Sequence, residues 1–287
     1  MRLALATSRE LPDLWPGDRL LMAEFHRRGY VAAPVIWDDD VRWQDWDGVV
    51  IRSCWDYHLK ADAFLAWLDT LTAHPVAVVN APEVVRWNFH KEYLLELARA
   101  GALIPPTRMA SRDDGLTLRR QLEAAGWADA VIKPAISASG YSTRLVTGAP
   151  TSDDEQAYAE MIAAGDVLLQ TWVRQVQKHG EWSFVFFDRQ YSHAVLKRAA
   201  RGEFRVHIEW GGTVESALPP PALVLDAQTL VDVLDLQAAY ARVDGTEVDG
   251  RLMVMELELI EPELFLDYHP QAAARLASAV LRHLHHS

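Results

Sequence analysis

The first eighty residues alternate between short apolar runs and amphipathic stretches, and this rhythm restricts the fold more than any other feature. "RLALAT" reads as a strand, Pro16 to Arg28 as a helix closed by Gly29, and "VAAPVIW" as a second strand. "DGVVIRS" is a third strand, residues 60–73 form a helix, and "PVAVVN" is a fourth strand. Strands that alternate with helices give a parallel sheet covered by helices. A helix from Asn88 to Ala100 follows, stopped by Gly101 and by Pro105 and Pro106.

Beyond this point the rhythm changes. "AVIKP" is a short strand, and "AISASGYSTRLV" passes through a small-residue loop into another. A helix near 152–164 precedes the strand "DVLLQTWV". "EWSFVFF" and "YSHAVLKR" flank "DRQ" as an antiparallel hairpin, and "EFRVHIEWGG" reads as a further strand. A helix over 226–241, the strand "RLMVMELELI" and an amphipathic helix over 270–285 complete the chain. The fold class is therefore α/β first, with an N-terminal parallel sheet, and α+β afterwards. The expected divisions are 1–86, 87–165 and 166–287.

A chain of 287 residues can bury a substantial core as one large or several smaller domains. Its net charge of −12 argues against nucleic acid as the main partner, while leaving room for a nucleotide bound by a local basic cluster. No apolar run has membrane-spanning length, the opening residues do not read as a signal peptide, and the single cysteine, Cys54, cannot form an internal disulfide. A cytoplasmic protein with no membrane partner is the expectation. The closing "RHLHHS" reads as a frayed terminus and not as a metal site.

Several stretches can carry chemistry. Lys133 ends a strand and precedes Ser137, Ala138, Ser139 and Gly140, small enough for backbone N–H groups to approach an anion. This is neither the Walker pattern nor a dinucleotide fingerprint. Lys91 falls at a helix start, where free N–H groups favour anions. Lys197, Arg198 and Arg205 are spread over the hairpin region. At the end of the third strand, "IRSCWDYH" offers Arg52 for a carboxylate and Asp56 for an amine, where ligands of open α/β sheets bind. Solvated lysines, a plain turn and a capping aspartate are the bland alternatives.

"VMELELIEPELF" puts two glutamates into an otherwise apolar strand. Glu256 and Glu258 share one face, with Met255, Leu257 and Leu259 on the other. With Asp244 they form an oxygen donor set suited to a hard divalent cation, since Mg²⁺ combines one or two carboxylates with substrate phosphates. The rival use is two-carboxylate glycoside hydrolysis, because same-face neighbours lie roughly 6–7 Å apart. Eleven tryptophans would suit sugar stacking. That use leaves the lysines and the small-residue loop without a role.

In order, these stretches resemble the ATP-grasp superfamily of carboxylate–amine and carboxylate–thiol ligases, over about residues 88–287 with an α/β domain before them. The likeness is to its glutathione-synthetase-like branch, and "RSCWDYH" and "ELELIEP" resemble a bacterial subgroup that includes the D-cycloserine-forming ligase. The resemblance implies a pre-ATP-grasp substrate domain followed by an ATP-grasp fold of two subdomains, with ATP between two antiparallel sheets. It implies Lys91, Lys133, Ser137, Ser139 and Gly140 on the phosphates, a hinge at Gln170, Thr171, Trp172 and Val173 for adenine, and Glu181 for the ribose. Asp244, Glu256 and Glu258 would hold one or two Mg²⁺, with Mn²⁺ an alternative, and Arg205 and Lys197 would neutralise the transferring phosphoryl group. The superfamily's acidic-x-Asn metal motif stands here as Glu256-Leu257-Glu258. The implied activity is Mg-dependent activation of a carboxylate as an acyl phosphate for attack by an amine. Arg52, Asp56, Tyr57 and Ser8 point to a small zwitterion such as an amino acid or short peptide. A kinase or a non-catalytic nucleotide-binding protein on the same fold is the alternative. Dimers are common in the superfamily, so a homodimer is also implied.

Overall fold

The computed structural model describes residues 1–234 and 237–286. Asp235, Leu236 and Ser287, on which parts of the expected 226–241 helix and of the "RHLHHS" tail fall, lie outside the described residues.

The N-terminal layer is the parallel sheet that the alternation predicts. It comprises β1 (Arg2–Thr7), α1 (Pro16–Arg27), β2 (Val31–Ile36), β3 (Gly48–Ser53), α2 (Ala61–Thr72) and β4 (Ala77–Val79), with strand order β2-β1-β3-β4. Both faces are apolar, as a sheet covered on two sides requires. Ala4 and Ala6 face α2 and a group of packed indoles, while Leu3 and Leu5 face α1. Trp37, Trp43 and Trp67 are buried there, with the rings of Trp37 and Trp43 centred 5.8 Å and 5.5 Å from that of Trp67. They are core, which removes much of the case for sugar stacking.

α3 (Pro82–Phe89) and α4 (Tyr93–Arg99) replace the single helix expected over 88–100. The break is fastened on both sides. Asn88 donates to the Leu257 carbonyl (2.8 Å) and accepts from the Leu259 N–H (2.7 Å), while the Lys91 N–H bonds the Ala135 carbonyl (2.9 Å). Continuing the helix would lose these bonds to buried groups.

Next come β5 (Thr107–Ala110), α5 (Leu118–Ala125), β6 (Asp129–Pro134), β7 (Arg144–Thr147), α6 (Ser152–Ala164) and β8 (Val167–Thr171). They build an antiparallel sheet of order β5-β8-β6-β7, with α5 and α6 packed on it.

After α7 (Gln175–His179) come β9 (Glu181–Phe187), β10 (Gln190–Arg198), β11 (Thr213–Ser216), α8 (Pro221–Leu234), β12 (Tyr240–Val248) and β13 (Arg251–Glu258). The strands form a second antiparallel sheet, β11-β10-β9-β12-β13. Alternation along β9 gives it two characters. Trp182, Phe184 and Phe186 join the core under α8, whereas Glu181 and Ser183 start a polar row on the other side. The last helix, α9 (Ala272–His286), returns to cover the first sheet through Leu276, Val280 and Leu284.

Two sequence expectations fail here for backbone reasons. "EFRVHIEWGG" is not a strand: residues 204–212 fold on themselves around a short turn at Ile208–Trp210, and β11 starts only at Thr213. The fold-back is tight enough that a Cβ on Gly212 would stand 2.1 Å from the Val206 carbonyl oxygen. The helix expected over 226–241 is instead α8, and Tyr240 already begins β12.

β13 also departs from strict alternation. Asp244 pairs with Glu256, but Gly245 pairs with Val254, so Met255 is an extra residue in a β-bulge. Glycine opposite the bulge is required, because a Cβ on Gly245 would stand 2.5 Å from the Met253 carbonyl oxygen. The bulge turns Met255 away from its predicted face, to join Val173, Val176 and Val206, while Leu257 and Leu259 stay in the core under α8.

Candidate active site

The two antiparallel sheets and the end of the first layer enclose a cavity of about 400 Å³. Its floor is the polar side of the five-stranded sheet. Glu181 on β9 lies opposite Lys197 on β10 and takes an ion pair from it at 2.6 Å. On β12, Asp244 accepts from Arg242 (2.8 Å) and Ser183 (2.6 Å), with the Lys197 ammonium 3.3 Å away. Glu258 is bonded by Arg242, and Glu256 by Lys91, which the α3–α4 break brings in from another element.

Like charges set opposite each other, as Asp244 and Glu256 are, destabilise a sheet unless cations intervene. Four cations do so here. Burial opposes ionisation of Asp244, but Arg242 and Lys197 hold its carboxyl below the usual range. Burial likewise works against Glu256, which Lys91 and Lys133 bring down to about 2. Glu258 is less well compensated: burial, with the charges of Asp244 and Glu256, pushes it up to about 7 despite Arg242.

Lys133 completes the basic set differently. Among the described residues it has no carboxylate within ion-pairing distance, although it lines the cavity. Burial pushes its ammonium down, while the charge of Glu256 supports it. Above it, Ser137, Ala138, Ser139 and Gly140 line the opening and meet the segment after β10. A Cβ on Gly140 would stand 3.3 Å from His207 Nδ1, and Gly140 itself has φ of +67°, which favours glycine. Arg205 is on that irregular segment and not on a strand; Glu203 accepts two of its hydrogen bonds, at 3.0 and 2.8 Å, and its guanidinium lies over Trp210.

At the far end, Thr171, Trp172 and Val173 line an apolar slot with Val131, Val176, Val206 and Met255. Gln170 also borders it, but its side-chain amide is held by Thr107 Oγ1 at 3.0 Å. The sequence-predicted residues of the phosphate, hinge, ribose and metal groups thus border one cavity, as does Tyr57.

Three do not. Arg52 is fully buried away from the cavity, with Nε bonded to Asp18 (2.8 Å) and Nη2 to the Pro262 carbonyl (2.6 Å). Asp56 accepts from Trp37 (2.9 Å) and Lys60 (2.7 Å). Ser8 is buried, its backbone tied to Ser53 and Leu11. The Arg52 and Asp56 side chains are taken up by partners in the fold, and none of the three borders the cavity, so the structure does not bring the expected zwitterion site together there.

The sequence reading missed Arg242, although the same i, i+2 spacing that singled out Glu256 and Glu258 relates Arg242 to Asp244. It also missed Asn88 near the end of α3, and Trp15, Trp55 and Glu261, which border the cavity from segments between elements.

Do these residues fit a divalent cation? The lining holds five basic side chains against seven carboxyls, two of which, Glu258 and Glu261, are pushed up to about 7 and about 8, so the cavity offers a polyanion little net positive charge of its own. Among the described residues no three His, Cys, Asp or Glu side chains form a cage by themselves. Asp244 is enclosed by its partners, whereas Glu256 and Glu258 keep about a quarter of their side chains open. Of the three expected metal ligands, Glu256 and Glu258 are the more open, and Asp244 stands behind them, held by Arg242, Ser183 and Lys197. An oxygen pair of this kind fits Mg²⁺ completed by phosphate and water.

Two antiparallel sheets around a cavity of this charge and shape define an ATP-grasp enzyme, an ATP-dependent carboxylate–amine ligase. Residues 3–80 match a family model described as the N-terminal domain of D-cycloserine synthetase DcsG. The cycloserine biosynthesis protein DcsG of Streptomyces lavendulae is 31% identical over 89% of this chain and 90% of its own length. The crystal structure of D-cycloserine synthetase DcsG superposes with a TM-score of 0.85 at 27% identity, covering 99% of this chain and 100% of the other. D-alanine–D-alanine ligase from Bacillus anthracis shares the fold at 14% identity (TM-score 0.73, covering 100% and 98%), and so does its complex with ATP at 16% (TM-score 0.68, with the same coverage). The chain belongs to the DcsG family of ATP-grasp ligases.

Proposed function

We propose that the chain phosphorylates the carboxylate of a small amino-acid-like substrate and closes or joins an amide from it. A carboxylate is a poor electrophile because oxide would have to leave. Attack of its oxygen on the γ-phosphorus of ATP releases ADP and gives an acyl phosphate. An amine nitrogen then bonds the acyl carbon, phosphate leaves, and the nitrogen loses a proton. D-cycloserine, after which the DcsG relatives are named, is the product class this chemistry suits.

The reading rests above all on Lys133, which faces the cavity with no counter-ion among the described residues, across from two open glutamates. Lys91 and Lys133 bind the phosphates as point charges, and Ser137, Ser139 and Gly140 cover them. The slot at Thr171–Val173, with Gln170 behind it, takes adenine, and Glu181 takes the ribose. Lys197, Arg205 and Arg242 stabilise charge on the transferring phosphoryl oxygens, where most of the rate enhancement of such reactions arises. Glu256 and Glu258, backed by Asp244, hold Mg²⁺, which when bound neutralises the phosphate oxygens. The segment carrying Arg205 and His207 meets the loop at Gly140 and keeps water from the acyl phosphate. A single buried cysteine supports a cytoplasmic site of action.

The test is ADP release over D- and L-amino acids and short peptides, with and without magnesium. Magnesium-dependent release stimulated by a narrow set of these substrates is expected. Release indifferent to every carboxylate would count against ligation.

A further inference from the structure

Among the described residues, one buried acid of the cavity has no partner. Glu261 follows β13, lines the cavity and is only 6% exposed. No cation or neighbouring side chain among those residues bonds its carboxylate, and the only donor acting on it is its own main-chain N–H. The other buried or half-buried acids there are answered: Glu181 by Lys197, Asp244 and Glu258 by Arg242, Glu256 by Lys91, and Glu263 by the Trp15 indole. A buried carboxylate without a counter-charge is costly. Burial, and then the charge of Glu258, push this one up to about 8.

Its surroundings are aromatic and firmly held. The Trp55 indole N–H donates to the main-chain carbonyl of Glu261 itself at 3.0 Å. Trp15, fixed by Glu263 at 2.9 Å, packs against Trp55 with ring centroids 4.9 Å apart. The Tyr57 hydroxyl also lies within this field: burial and then the Glu261 charge raise it well above its usual value. A single carboxylate in a wall of oriented rings suits a small organic cation, which takes the charge-assisted hydrogen bond and lies against the ring faces. Arg52 and Asp56 are occupied elsewhere and offer no competing site.

The geometry points to Glu261, with Trp15, Trp55 and Tyr57, as the subsite that receives the ammonium group of the amino-acid substrate. The assignment rests on the ligase reading above and adds the group that selects an amine-bearing acid. A ligand without that ammonium offers the Glu261 carboxylate no counter-charge, so the site disfavours it.

Tryptophan fluorescence of the full chain, titrated with D-cycloserine and with isoxazolidin-3-one, its counterpart lacking the amino group, tests this. The wild type should prefer the amine by about a hundredfold, the scale of a hydrogen bond to a charged group lost at a mostly buried site. In Glu261→Gln the preference should fall to within about threefold, with the ADP-induced thermal shift unchanged. Glu261→Asp, which keeps the charge on a shorter arm, should retain an intermediate preference and carries the test if the glutamine variant does not fold. An undiminished preference in Glu261→Gln overturns the subsite while leaving the ligase reading in place. A wild type that binds neither probe, yet releases ADP only with carboxylates that carry no amino group, overturns both the amino-acid reading and the subsite.

Discussion

Arg52 with Asp18 in the first layer, and Arg242 with Asp244 beneath the cavity, are both arginine–aspartate pairs shut away from water. The first pair is complete. Ser53 fills the other Asp18 oxygen at 2.8 Å, the Pro262 carbonyl takes another guanidinium N–H, and the Tyr240 ring covers Arg52 at 4.9 Å. The second is extended by Glu258, which Arg242 also bonds, stands beside the separate Lys91–Glu256 pair, and borders an open cavity that Lys133 faces with no carboxylate partner among the described residues. Burial of charge is common to both. What separates a structural pair from a site is whether the charges are fully answered within the protein.

Three experiments set the two clusters against each other. Arg52→Met leaves the buried Asp18 with Ser53 but without its counter-charge, and should cost about 3–5 kcal/mol of stability in chemical denaturation, with turnover per folded molecule retained. If turnover fell in proportion, the first cluster would be functional after all. Glu256→Gln should weight the effects the other way, lowering ATP turnover per folded molecule by about a hundredfold (roughly 2.7 kcal/mol), with a smaller stability loss than Arg52→Met because the Lys91 ammonium it leaves without a carboxylate borders the open cavity.

The third effect concerns pH. Glu261 binds its proton more tightly folded, up to about 8, than in the unfolded chain. Its stabilising contribution is therefore full below the usual carboxylate range and is lost as pH rises through about 8. Melting between pH 5 and pH 8.5 should show the wild type losing stability relative to Glu261→Gln; Glu258, also raised, is common to both proteins. Parallel curves would mean that Glu261 is already answered.

The period-2 and period-3.6 patterns carried the parallel sheet, the β9–β10 hairpin and the glutamate face of β13, because one apolar face against one polar face leaves a plain signature. The misreadings share another cause. Met255 changed face because one extra residue in a bulge shifts the parity, and sequence shows it only as a glycine at 245. The helix over 88–100 broke at Lys91 because distant carbonyls and N–H groups on 135, 257 and 259 bond its turn. "EFRVHIEWGG" has strand composition but closes on itself at Gly212. Arg52 and Asp56 had suitable chemistry in a suitable place, and only the packing of Asp18 and Trp37 against them shows that they are occupied.

An acyl phosphate formed inside this cavity is the step on which ligation depends. Trapping it with hydroxylamine, in the presence of magnesium, ATP and an amino acid that stimulates ADP release, tests that step most directly. The prediction is a hydroxamate formed in step with ADP and absent from Glu256→Gln. ADP accumulating without hydroxamate, or a phosphorylated hydroxyl in its place, would contradict it.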